Sequence, residues 1–130
     1  MRGDVGWRRA AFFNLIFRHS AVQHPLIASA VARMAMDQSN AEVIASAEGA
    51  IQQIISMLLS NSLHVVSMGC RTLSALAASP TTAKRLIKAK VMQSLYNLLG
   101  SQDPLAKVAA LQVIADLAFT SEDGAHSSPT

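Results

Sequence analysis

Aromatic side chains are scarce in this chain: four Phe, one Trp and one Tyr among 130 residues. The apolar half of the composition is therefore mostly Ala, Leu, Ile, Val and Met. Such side chains suit close helix packing better than a pleated sheet, where aromatic and β-branched residues predominate. Cysteine occurs once, at Cys70. No disulfide can form within the chain, and a single small residue on a helix-period stretch reads as buried filling. Charged residues make up only 15% of the chain, with a net charge of +3. High charge does not hold the chain open, so a folded core is expected. Nor does it have the clustered, aromatic-interleaved basic face that nucleic acid demands. No apolar run reaches the ~18 residues of a membrane-spanning helix. The densest run, Ile51 to Leu59, is interrupted by Gln52, Gln53 and Ser56. The apolar stretch Ala10 to Phe17 carries Asn14 and has no small-residue cleavage site placed well after it, so it does not read as a secretory signal.

What the chain does have is repetition. Val31-Ala32-Arg33-Met34-Ala35-Met36-Asp37 returns as Leu73-Ser74-Ala75-Leu76-Ala77-Ala78-Ser79, and again as Ile114-Ala115-Asp116-Leu117-Ala118-Phe119-Thr120. The spacings are 42 and then 41 residues. A second phrase keeps the same period: Phe12 to Ile16, Ile54 to Leu58, Leu95 to Leu99. Two phrases sharing one period of about 40 residues mean a copied structural unit, a solenoid or a propeller. The apolar positions recur at helical spacing, as in Val108, Leu111, Ile114 and Ala118, and strict alternation is absent. The propeller reading is thereby excluded. The second phrase also lies in the Arg-rich segment Trp7 to Arg18, which argues against a removable transit peptide there.

Punctuation falls at the expected helix ends. Asp103-Pro104 reads as an N-cap followed by proline at the first helical position. Ser39-Asn40-Ala41-Glu42 reads as a capping box. Gly49 and Lys90 precede equivalent helices. Helices are expected over about Val5 to Phe17, Pro25 to Met36, Asn40 to Ser46, Gly49 to Leu59, His64 to Ala78, Thr82 to Ala89, Val91 to Leu99 and Pro104 to Phe119. The stretch 121–130 has no apolar period and reads as a disordered tail.

A short, a medium and a long helix in about 41 residues is the armadillo layout. Gly49-Ala50-Ile51-Gln52-Gln53-Ile54-Ile55-Ser56-Met57-Leu58 resembles that family's Gly-Ala-Ile/Leu-Pro-x-Leu-Val-x-Leu-Leu phrase. Val65 to Ala77 resembles its Val-x-x-x-Ala-x-x-Ala-Leu-x-Asn-Leu-Ala phrase. The resemblance implies an all-α fold, a short right-handed α-solenoid of the armadillo type over residues 1–120. It would comprise a partial unit (5–38) and two nearly complete ones (39–79 and 80–120). It further implies a groove lined by the third helices, with Ser29 and Arg33, Arg71 and Ala75, Gln112 and Asp116 at its partner-binding positions. The family's groove asparagine is absent from this chain; Arg33, Ala75 and Asp116 hold that position.

The function expected from this resemblance is a protein-interaction module or scaffold that binds a peptide or a partner domain, in the cytoplasm or nucleus. The alternative is a structural segment of a larger protein, for example a ubiquitin ligase, kinase or lipase, positioning a catalytic domain. No enzyme is expected of the chain itself. His19, His24, His64 and His126 are scattered and the carboxylates sit at caps and turns, so neither a metal site nor a cofactor is expected. Gly-x-Ser-x-Gly and phosphate-loop patterns are missing. Apolar side chains at both ends of the array point to end-to-end or dimer contact. Lys84, Arg85, Lys88 and Lys90 form the one basic cluster, which reads first as a solvated face.

Overall fold

A computed structural model of the chain describes the backbone of residues 2–126 and the side chains of residues 7–120. Those residues form eight α-helices and one 3₁₀ turn, and no strand is found among them. The helices are α1 (Arg2–Arg18), α2 (Pro25–Ala35), α3 (Gln38–Ser46), α4 (Ala50–Met57), α5 (Leu63–Ala77), α6 (Pro80–Lys88), α7 (Val91–Leu99) and α8 (Pro104–His126). The protein is all-helical, as the helical spacing of its apolar residues requires.

Local chemistry sets the helix boundaries. Pro25, Pro80 and Pro104 open α2, α6 and α8, where the missing N–H costs nothing because no carbonyl awaits it. The Leu105 N–H donates to Asp103 Oδ1 at 2.9 Å, so the expected cap of α8 is present. The cap of α3 lies two residues earlier than the sequence suggested. Asp37, not Ser39, accepts from the Ser39 N–H at 2.8 Å, and the Ser39 hydroxyl donates to the same oxygen at 2.7 Å. Asp37 is a better acceptor for the first turn because its carboxylate also answers the helix dipole. The entries to α4 and α7 are matched as well. Gly49 (φ 75°) and Lys90 (φ 66°) both take the left-handed conformation. Glycine carries that conformation without steric cost, whereas Lys90 adopts it against its Cβ.

The shortness of α2 has a visible cause. Ser20 takes φ 55°, and Ala21–Gln23 form a 3₁₀ turn. Together they use the residues that supply the first turn in α5 and α8. His24 then caps α2, its Nδ1 accepting from the Leu26 N–H at 3.2 Å.

The first two repeats bury matching positions. α5 lies between α2 on one side and α8 on the other. Ala28 in α2 and Cys70 in α5 are buried at matching positions, as are Val31 with Leu73 and Ala35 with Ala77. Leu86 and Ile44 play one role in α6 and α3, as do Ala83 and Ala41. Gly69 lets α5 press against α4: a Cβ built there would lie 2.9 Å from the Met57 Cβ. Thr120 fastens α8 to the end of α5, its hydroxyl donating to the Ala77 carbonyl at 2.8 Å inside the protein. At the third unit the pattern continues with its outer side uncovered. Leu111, the counterpart of buried Cys70, is 52% exposed, and Tyr96, the counterpart of buried Ile55, is 58% exposed.

Helical backbone runs to His126, into the stretch read as an irregular tail. The rest of that stretch, 127–130, lies outside the described residues.

Candidate functional site: the cavity between α2, α5 and α8

Three third-position helices converge on one cavity of about 430 Å³. Its wall is built from small side chains: Ala35 at the end of α2, Ala75 and Ala78 at the end of α5, and Ala109 on α8. Polar groups stand at the rim. Arg71, Ser74 and Gln112 come from α5 and α8, and Gln38 from the start of α3. The volume falls within the range of small-ligand sites, about 300–1,000 Å³. An apolar wall with one guanidinium at its edge suits a molecule with an apolar body and an anionic end. The fork of Arg71 matches carboxylate or phosphate oxygens.

The sequence-derived groove positions are partly gathered here. Arg71, Ala75 and Gln112 line the cavity together. Asp116 stands one turn beyond, accepting from Gln112 Nε2 at 3.4 Å. Arg33 is exposed on α2 and is not among the lining residues. Ser29 is turned elsewhere. Its hydroxyl lies 2.5 Å from His64 Nε2, bridging α2 and α5.

That Ser29–His64 contact is the one place among the described residues where a hydroxyl meets an imidazole at hydrogen-bond distance. Sequence reading missed it because the two residues lie 35 positions apart and neither belongs to a pattern. Activation of a serine needs a histidine held in one tautomer by a third group. Among the described residues no carboxylate bonds His64. The pair is therefore a helix-to-helix tie, with one exposed and one half-buried partner.

Two further groups are fixed by their surroundings. Cys70 borders the cavity but is buried, and loss of solvent pushes its thiol up to about 12. At neutral pH it is a thiol and a poor nucleophile. Asp37 is held below the usual carboxylate range, first by the Ser39 hydroxyl and then by the backbone N–H groups of Ser39 and Asn40. Arg9 completes that corner. Its guanidinium donates to Ser39 Oγ at 3.0 Å and to Asn40 Oδ1 at 2.8 Å, pinning α1 to α3.

Fold and site together define an all-helical arrangement of recurring units with a cavity of mixed apolar and polar lining. No family model matches the chain. A stretch of 113 residues, 87% of the chain, is 40% identical to Phospholipase A I of Arabidopsis thaliana. The chain spans 9% of that protein's length. This likeness corrects the functional expectation drawn from the sequence. The expected protein-interaction module or scaffold does not stand, because the relative is named Phospholipase A I. The expectation of no enzyme is corrected on the same ground. Helix pattern had outweighed chemistry in that expectation, and a helical repeat carries no record of the reaction it serves.

Proposed function

We propose that this chain forms part of a phospholipase and serves the hydrolysis of phospholipid esters. The observation that carries the reading is the 40% identity over 87% of the chain to Phospholipase A I. The cavity supports it: an alanine wall beside Arg71 and Gln112 offers an apolar surface to an acyl chain and a donor to a phosphate or carboxylate. In this reading Arg71, Ala75 and Gln112 contact lipid or fatty-acid product. The helical units wind as a short right-handed solenoid of the armadillo type. The 41- and 42-residue recurrence and the paired left-handed residues Gly49 and Lys90 support that arrangement.

The test is an ester-hydrolysis assay. The natural polypeptide that contains residues 1–130 is incubated with phosphatidylcholine vesicles, and released fatty acid is measured. Release above the uncatalysed background is expected. No release from phosphatidylcholine or from any other phospholipid class contradicts the proposal.

A further inference from the structure

From Gly49 to Gln102 the chain contains no Asp or Glu, yet it carries five cations: Arg71, Lys84, Arg85, Lys88 and Lys90. Four of the five fall within seven residues, on α6 and the residue that opens α7. At about 100° per residue, Lys84, Lys88 and Arg85 share an arc of about 100°. Ala83 and Leu86 bury the opposite side against the core. All four cations of the cluster are exposed. Ile87 stands at the edge of the arc and is 44% exposed, an apolar side chain beside a row of positive charges.

Helix chemistry explains only part of this cluster. Arg85 and Lys88 lie in the last turn of α6, where the negative end of the dipole favours cations. Lys84 lies a turn earlier, beyond the reach of that effect. Lys90 follows the helix in the left-handed conformation, which a lysine adopts at some steric cost.

We propose that α6 is a docking surface for an anionic phospholipid bilayer, with Lys84, Arg85, Lys88 and Lys90 against the headgroups and Ile87 in the headgroup–acyl boundary. The choice of a bilayer rests on the lipase reading; the charged surface itself does not. An acidic peptide fits less well. Peptides of that kind are held in grooves, whereas α6 contributes no residue to the cavity described above and presents its cations outward on a convex helix. A plane of headgroups meets such a surface without needing a groove. Each cation near an anionic membrane changes partitioning by about five-fold, and an apolar residue at the boundary adds to it.

Flotation of the 130-residue chain with large vesicles tests the proposal. The chain is expected to float with phosphatidylcholine–phosphatidylserine vesicles and not with phosphatidylcholine alone, and added salt should release it. The double variant Lys84→Glu/Lys88→Glu should lose at least about 25-fold in partitioning while keeping its helical circular dichroism. The variant Arg8→Glu/Arg18→Glu changes net charge equally at exposed sites on α1 and should lose far less. Absence of binding by the native chain, equal binding to neutral vesicles, or equal loss in both variants overturns the proposal. So does binding to polyglutamate as tight as to anionic vesicles, which would assign α6 to an acidic peptide. Flotation does not read ester hydrolysis, so a lipase that fails to float and a floating chain without lipase activity are told apart.

Discussion

Gly69 concentrates the packing problem of the whole chain into one missing methyl group. Two opposing effects decide what Gly69→Ala does. Alanine is favoured over glycine inside a helix by about 1 kcal/mol. Its Cβ, however, would sit 2.9 Å from the Met57 Cβ and 3.6 Å from the Ile54 carbonyl oxygen. The nearest atom belongs to the stem of a buried side chain, so α4 and α5 must separate. Overpacking of this kind costs about 1–3 kcal/mol. The clash should win, and Gly69→Ala should lower stability by up to about 2 kcal/mol in urea titration; a stabilised variant would show that the seam gives way freely. Cys70, next in sequence, ties stability to pH. Its pKa rises from 9.0 in the unfolded chain to about 12 in the folded one, because burial disfavours the thiolate. The folded state then holds a proton that the unfolded state releases. This contribution is fully present below about pH 9 and is lost as pH rises toward 12. Cys70→Ala should flatten the fall in stability between pH 8.5 and 10.5, approximately the rising part of that window. An unchanged slope would show that other groups control it. Cys70 was legible in part, since a lone cysteine on an apolar stretch marked burial. Nothing in the sequence marked the Ser29–His64 contact, because it depends on how α2 and α5 align.

The helices themselves were readable to within a few residues at every end but one, since caps, prolines and apolar period agree there; α8 runs to His126, past the expected end at Phe119. The cap of α3 was misplaced for a local cause: Asp37 outcompeted Ser39 as acceptor for the first turn. Contacts between elements were less visible. The hydroxyl of Thr120 reaches back 43 residues to the Ala77 carbonyl and closes the end of α5 against α8. Thr120→Val keeps the shape and leaves that buried carbonyl without its donor, a loss of about 1–3 kcal/mol. Hydrogen exchange should report it as faster exchange in the last turn of α5 and in the turn of α8 that contains Thr120. Equal exchange in the two proteins would mean that water replaces the hydroxyl and the bond does not hold α8 in place.

Over the whole molecule, repetition and activity are written in different ways. The copied unit is spread over 41 or 42 residues and appears as period, so the all-helical class could be read from sequence. The activity proposed for the chain has no period. A cavity wall of Ala35, Ala75, Ala78 and Ala109 looks in sequence like ordinary tight packing, and only the placement of Arg71 and Gln112 at its rim distinguishes it. In the proposed function these packed units support phospholipid hydrolysis. The most direct measurement compares fatty-acid release from phosphatidylcholine by the natural polypeptide and by its Gly69→Leu variant, which forces the α4–α5 seam apart, with Arg18→Ala as an exposed control. Activity should fall sharply in Gly69→Leu and hold in the control; equal release from all three proteins, or none from the native one, would contradict the account.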